Sequence, residues 1–276
     1  MSKDRLVAFQ GERGAFSEDA CFKYFGKDVK TSPFPDFQSV FESVEKDKVT
    51  HAVVPVENSI EGSVTQVNDL LLDLDLTVSG EVVVPVKHAL LAYDGTTVES
   101  IKEVLSHPQA LGQCRKFLSN HPEWRLTPAY DTAGSARMVA EAKRVDMASI
   151  ASKRAASVYG LKILKEDIQS EIENYTRFFV LEKNPGTVEG ANKTSMVFAT
   201  KNVPGALHRC LGEFASRNVN LTKVESRPRR SKPWVYVFYV DFEGSIDDPN
   251  SHAAIGGLIK AAAFVKILGS YKKAEP

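Results

Sequence analysis

The sequence predicts an α/β protein in two parts, a pair of α/β lobes followed by a smaller β-α-β-β-α-β fold. Two observations carry this expectation. Through residue 183, short apolar β-rich runs alternate with helical periodicities, the pattern of a parallel sheet covered by helices. After a turn-rich stretch at 184–193 the order becomes β-α-β-β-α-β, the ferredoxin-like arrangement. With 276 residues the chain has room for two or three domains with sizeable cores.

The first strand, Leu6–Phe9, runs into Gly11-Glu12-Arg13-Gly14-Ala15-Phe16-Ser17, where Ser17 is expected to cap a helix that Gly26 ends. A glycine turn before a helix start makes an anion site from backbone N–H groups, although it serves equally well as a plain turn. Phe37, Val40, Phe41 and Val44 form the apolar stripe of the next helix. The buried strand His51–Val56 delivers Glu57, Asn58 and Ser59 to its C-terminal end, ahead of Gly62 and a helix carrying Val64, Val67, Leu70 and Leu71. Ligands of open α/β sheets bind beyond such strand ends. Val82–Ala92 is long and β-rich, enough to cross from one lobe to another. A helix is expected near Thr97–Glu103, then a short strand and a helix opened by His107-Pro108; His107 reads as structural. Leu126–Tyr130 and Met147–Ala151 are strands, and Asp131-Thr132 caps a helix to about Lys143. A helix ending at Gly160 and a strand at Leu161–Asp167 complete the alternation. Two lobes joined by crossover strands leave a cleft between them.

Beyond the linker at 184–193 come strand Thr194–Thr200, helix Pro204–Ser216, strands Val219–Glu225 and Trp234–Phe242, a helix from Asp248-Pro249 to about Ala263, and strand Phe264–Leu268. The expected domains are therefore 1–183 and 194–276.

Composition narrows the function. Lys plus Arg and Asp plus Glu each number 35, so the net charge is zero and a nucleic-acid or anionic-membrane binder is disfavoured. The short basic cluster Arg227-Pro228-Arg229-Arg230 does not change this. No apolar run approaches the ~20 residues of a membrane span, and no secretory segment opens the chain, so a cytoplasmic protein is expected. Three scattered cysteines indicate neither a disulfide framework nor a zinc site, and no cofactor motif is present.

The stretch with most chemistry is Asn174-Tyr175-Thr176-Arg177-Phe178, which runs into an apolar strand. A core strand is a rigid mount for polar groups. Arg177 offers a two-pronged carboxylate clamp and Thr176 an O–H donor beside it, a pairing suited to a small anionic substrate. An ordinary strand start with an exposed Arg and a satisfied Thr accounts for the same residues.

Taken together, several motifs resemble the prephenate dehydratase family over nearly the whole chain. They are Gly11-x-x-Gly14-Ala15-Phe16-Ser17, Pro55-Val56-Glu57-Asn58-Ser59-x-x-Gly62, His107-Pro108-Gln109-Ala110-Leu111-x-Gln113-Cys114, Asp131-Thr132-Ala133 and Asn174-x-Thr176-Arg177-Phe178. The second part resembles the ACT regulatory module, with Gly205-Ala206-Leu207 and Glu225-Ser226-Arg227-Pro228 at its signature positions. Tyr175 and His208 depart from the residues usual there. The resemblance implies lobes of periplasmic-binding-protein type that convert prephenate to phenylpyruvate, with loss of water and carbon dioxide, in phenylalanine synthesis. It also implies feedback control by L-phenylalanine and a homo-oligomer, dimer or tetramer. No metal and no cofactor are required.

On this reading Thr176, Arg177 and Glu57 are catalytic. Thr176 polarises the departing hydroxyl, Arg177 binds a carboxylate, and Glu57 supplies a proton once desolvated. Ser17, Asn58, Ser59, Thr132, Asn174 and Phe178 bind substrate. Gly205, Ala206, Leu207, Glu225, Ser226, Arg227 and Pro228 bind the effector. Arogenate, the amino analogue of prephenate, is the alternative substrate, and a non-catalytic amino-acid sensor is the alternative of another class.

Overall fold

A computed structural model describes residues 5–229 and 236–275. The expected strand start at Trp234, the N-terminal residues 1–4 and Arg230 lie outside the described residues. The chain divides into two compact units, residues 5–67 with Val82–Phe178 in one and Asn68–Glu81 with Phe179–Glu275 in the other. Among the described residues, no helix is long and apolar enough to cross a membrane.

The first unit holds two lobes. In the first lobe, β1 (Leu6–Gln10), α1 (Phe16–Phe25), β2 (Lys30–Phe34), α2 (Phe37–Glu45), β3 (His51–Asn58) and β4 (Gly62–Ser63) follow one another, and the chain continues through α3 (Thr65–Asp73) and β5 (Thr77–Pro85), whose stretch Asn68–Glu81 falls in the second unit. Strands β6 (Ala89–Ala92) and β7 (Glu103–Ser106), helices α4 (Pro108–Gln113) and α5 (Arg115–Leu118), β8 (Arg125–Pro128), α6 (Thr132–Ala142), β9 (Met147–Ala151), α7 (Lys153–Tyr159) and β10 (Lys162–Lys165) make the second lobe. The chain then returns through β11 (Tyr175–Glu182). The first sheet has the order β2-β1-β3-β11-β5, with β4 paired to β3, and the second β10-β6-β9-β7-β8. Pairings of β1 with β2 and β3, and of β7 with β8 and β9, are parallel, while β6 runs antiparallel to β9 and β10. Strand β9 is buried along its whole length, which its uninterrupted small and apolar residues permit.

Three local expectations need correction. Ser17 is not the cap of α1: Ala15 holds that position without a side-chain bond, and Ser17 lies one residue inside the helix. In place of a helix near Thr97–Glu103 there is a single 3₁₀ turn, Val98–Ser100, closed by a reciprocal Thr97–Ser100 cap, and Glu103 begins β7. Helix α4 stops at Cys114 and α5 follows it, so the stretch from His107 is two short helices. The run Val82–Ala92 does cross between the lobes, as two strands with a break between Pro85 and Ala89.

That break is one of two crossings between the lobes, and the other is the stretch from 166 to 174. They are stitched together by Val86 N donating to Asn174 O at 2.7 Å, Ile168 N to His88 O at 3.0 Å, and His88 N to Gln169 Oε1 at 3.0 Å.

In the second unit, β12 (Lys193–Ala199), α8 (Ala206–Ala215), β13 (Leu221–Pro228), β14 (Tyr236–Glu243), α9 (Pro249–Ala261) and β15 (Phe264–Tyr271) give the ferredoxin-like order. Their antiparallel sheet runs β13-β14-β12-β15, over a core that includes Phe198, Phe214, Phe242 and Leu258. The earlier segment Asn68–Glu81 belongs to this unit and is held by specific bonds. Tyr239 donates its hydroxyl to Asn68 O at 2.8 Å, and Lys266 Nζ to Leu72 O and Leu74 O at 3.2 and 2.7 Å. An ammonium on the last carbonyls of α3 also opposes the negative end of the helix dipole. Gly269 has to be glycine, because a Cβ there would lie 2.0 Å from Val78 O.

Lys193 and Glu81 form the most enclosed ion pair of this unit, with side chains 8% and 2% exposed and Nζ 3.0 Å from the carboxylate. Removing one partner of a buried pair costs far more than the pair contributes net, because the remaining charge keeps its desolvation penalty. Lys193→Met is therefore expected to lower unfolding free energy by about 3–5 kcal/mol. Urea denaturation checks this, and a change within error would show that solvent reaches Glu81.

Candidate active site

A cavity of about 470 Å³ lies within the first unit, bordered by residues of both lobes. The starts of four long helices reach it: Phe16 and Ser17 on α1, Phe37 on α2, Gln66 on α3 and Thr132 on α6. Each presents N–H groups and the positive end of a helix dipole. Among the described residues that border the cavity there is no lysine or arginine. Caps distinguish these helix starts. Asp36 accepts from Ser39 N and Asp131 from Gly134 N, so α2 and α6 are capped by a carboxylate, whereas Ala15 gives α1 no capping side chain and the first-turn carboxylate of Glu18 turns back to accept from Gly14 N at 2.7 Å.

Thr176 and Phe178 border the cavity from β11. Alternation along a strand turns Arg177 to the opposite face, where its Nη1 lies 3.4 Å from Glu57 Oε2 on β3. Neither Arg177 nor Glu57 borders the cavity. Ser59 does not border it either. Its hydroxyl accepts from Tyr175 N at 3.0 Å and donates to Glu173 O at 3.3 Å, joining the end of β3 to the start of β11. Of the residues expected to bind substrate, Ser17, Asn58, Thr132 and Phe178 are brought together here, while Asn174 is buried one layer behind.

Asn58 is the centre of this layer. Its Oδ1 accepts from Ile60 N and Glu61 N, both at 3.0 Å, which fixes the orientation of the carboxamide. The Nδ2 end must then donate, and it faces Asn174 Oδ1 at 2.7 Å, Thr176 Oγ1 at 3.0 Å and Tyr175 O at 3.1 Å. Asn174 Nδ2 passes a bond on to Gln113 Oε1 at 3.1 Å, and Gln113 Oε1 also meets His88 Nε2 at 2.9 Å. Thr176 thus receives a hydrogen bond from Asn58 and keeps its own proton for a group in the cavity.

Several residues at the site carried no role in the sequence reading. Gln113 and Asp131 stood inside motifs used for the resemblance, so a signal existed. His88 gave little, being one polar aromatic residue in an apolar run, and only the break after Pro85 places it beside Gln113. His107 caps α4 through its ring, accepting from Gln109 N at 3.3 Å, and also borders the cavity. Burial raises the Asp131 carboxyl above the ordinary aspartate range despite its bonds to backbone N–H groups. Burial pushes His88 the other way, below the ordinary histidine value of 6.5.

The effector candidates occupy one end of the ferredoxin-like sheet. Gly205 caps α8 in a left-handed conformation with φ of 75°, and Ala206 and Leu207 form its first turn. Glu225–Pro228 ends β13, and the ladders Arg227–Val237 and Val237–Ala199 align that end with the strand end leading to Gly205. Glu225 and Arg227 are half-buried, Ser226 and Pro228 exposed. Glu225 pairs with Lys223 at 3.3 Å and Arg227 with Asp69 at 3.6 Å.

The prephenate dehydratase family profile matches residues 7–186, and that of the ACT domain matches 195–251. The arogenate dehydratase/prephenate dehydratase 2 of Arabidopsis thaliana is 43% identical over 277 residues, covering 96% of this chain and 72% of the relative. Among solved structures, a prephenate dehydratase from Arthrobacter aurescens in complex with L-Phe is 33% identical, with a TM-score of 0.88 over 97% of this chain and 90% of that one. GqqA, described as a novel type of quorum quenching acylase, is 32% identical with a TM-score of 0.90 over 99% of both chains. The two-lobed architecture of the first unit is accordingly the periplasmic-binding-protein-like one of these enzymes, and the chain belongs to the prephenate dehydratase family of lyases, with an ACT domain following the dehydratase region.

Proposed function

We propose that this enzyme converts prephenate to phenylpyruvate, carbon dioxide and water. The observation that carries the reading is the Thr176 hydroxyl, which accepts from Asn58 and faces a cavity edged by helix starts. Prephenate is a dianion whose ring carries a carboxylate and, across the ring, a poor leaving group, the hydroxyl. When the ring carboxylate leaves as carbon dioxide, its bonding pair enters the ring and expels the hydroxyl oxygen. One proton added to that oxygen gives water, and the ring becomes aromatic. Aromatisation drives the step, so catalysis needs placement of the dianion and a donor at the departing oxygen.

Helix starts supply the first requirement. The uncapped start of α1 at Phe16 and Ser17 takes a carboxylate through its N–H groups, and Thr132 adds a hydroxyl at the start of α6. Thr176 supplies the second. Its hydroxyl is a weak acid, so it stabilises the oxygen by hydrogen bonding, and an acid at the cavity delivers the proton. Asp131 suits that task, since it borders the cavity and burial favours its protonated form. Glu57 and Arg177 support the site by clasping β3 to β11.

Thr176→Ala should then reduce kcat by about 10²–10³, the scale for one lost preorganised donor, with Thr176→Ser, which keeps the hydroxyl, retaining far more activity. Phenylpyruvate formation is the measurement, with prephenate and arogenate supplied in competition. Normal turnover by the Ala variant would remove Thr176 from the chemistry, and exclusive use of arogenate would change the substrate.

The regulatory part of the reading assigns 1–183 to catalysis, 184–193 to a linker and 194–276 to control by L-phenylalanine in a homo-oligomer. Gly205 admits a ligand to the start of α8, which no side chain caps, and Glu225 offers an acceptor for an ammonium. L-phenylalanine should raise the KM for prephenate, and prephenate should weaken L-phenylalanine binding by the same factor, with a coupling of about 1–3 kcal/mol. Calorimetry with each ligand at saturating concentrations of the other tests this. Mutual exclusion with no ternary complex would place the effector in the cleft.

A further inference from the structure

We infer that His88 is a positioning residue for Thr176, held as the neutral Nε2–H tautomer that donates to the Gln113 amide oxygen, the acceptor on which the buried amide chain from Asn58 ends. The direction follows link by link. Backbone N–H groups of Ile60 and Glu61 bind Asn58 Oδ1, so Nδ2 of Asn58 donates to Asn174 and Thr176. Because Asn174 accepts on Oδ1, its Nδ2 must donate onward, and Gln113 Oε1 must accept. An oxygen that only accepts fixes what lies beyond it. At 2.9 Å from Gln113 Oε1, His88 Nε2 carries the proton.

The other ring nitrogen agrees with this assignment. His88 Nδ1 is buried and has no hydrogen-bond partner among the described residues, so a proton there would be an unsatisfied buried donor. The edge of Phe16 packs against the ring, with centroids 5.5 Å apart, and the residue is 2% exposed. His88 also lies on the first lobe crossing, where its main chain binds Ile168 and Gln169 of the second. It therefore fixes Gln113 of the second lobe against the crossing segments, and through Gln113 the amides that orient Thr176.

The inference rests on Thr176 being the donor to the leaving oxygen, so its test includes a reading independent of turnover. Nitrogen NMR of the full-length protein with labelled histidine, at neutral pH, should show His88 as the Nε2–H tautomer. In kinetics with prephenate, His88→Leu should lower kcat by about 10–100-fold with little change in KM, the scale for outer partners that orient a reacting group. His88→Gln places an amide donor where Nε2–H stood and should recover most of that loss. His88→Asn, whose shorter amide matches the other ring nitrogen, should not. An Nδ1–H or doubly protonated ring at neutral pH would overturn the proposal, even if the Leu variant failed to fold. Equal impairment of the Gln and Asn variants, or an unchanged kcat in the Leu variant, would do the same. Failure of wild-type protein to turn over prephenate would sink the reaction assignment and leave the tautomer measurable.

Discussion

Everything at the site depends on two backbone N–H groups. Ile60 and Glu61 donate to the side-chain oxygen of Asn58, and a carboxamide held at its oxygen end can only donate from the other. The turn after β3 thereby sets the polarity of Asn174, Gln113 and Thr176, residues that come from two other stretches of the chain. Buried polar networks rigidify a structure when every member is satisfied, and a reversed amide would leave two donors facing each other. A short, local, main-chain feature decides which way the Thr176 hydroxyl points.

Anion recognition follows a similar economy. A dianionic substrate would be expected to call for lysine or arginine, yet the described cavity-lining residues include neither. Helix starts provide positive potential without mobile side chains, so their N–H groups are already oriented when the substrate arrives. Arg177 fits the same logic. With its side chain 12% exposed and set against Glu57, it holds two strands in register instead of reaching into the cavity. The desolvated guanidinium needs that carboxylate, because a buried charge left alone is costly.

Much of this was legible in the sequence, for identifiable reasons. Strand β9 was clear as a short uninterrupted run of small and apolar residues, and the stripe of α2 because one-sided burial imposes a period of 3.6 residues. The ferredoxin-like order was clear because each element there has its own turn signals. Thr97–Glu103 misled because its polar residues suit a capped turn as well as a helix start, and Thr97 and Ser100 cap each other after a single turn. Ser17 looked like a cap because capping residues are read one at a time, whereas the glycine turn at Gly14 starts the helix earlier. At the site, residue type and strand-end position pointed to Asn58 and Thr176, which border the cavity, and to Asn174, which lies buried behind it. The opposite facing of Thr176 and Arg177 was available from strand alternation and was overlooked in favour of their adjacency. His88 could not be found that way, since its partner Gln113 is 25 residues distant and their meeting depends on where the lobes cross.

The amide chain also separates two tasks that a single residue often combines. A carboxamide can pass on orientation, but it does not exchange protons readily, so no proton travels from His88 to Thr176 through Gln113, Asn174 and Asn58. What the chain transmits is alignment. On the proposed reaction the proton comes from the cavity side, where Asp131 borders the same space and burial raises its carboxyl above the ordinary aspartate range. Gly11 has a part in this, because a Cβ at that position would lie 3.0 Å from Asp131 Oδ2 and would crowd the carboxyl. The two tasks reach the cavity from opposite directions. Orientation comes from the lobe crossings through the buried amides, and acidity comes from the start of α6 in the second lobe. A substrate held between the lobes would meet both, which is a physical reason for this chemistry to occupy a cleft and not the surface of one sheet.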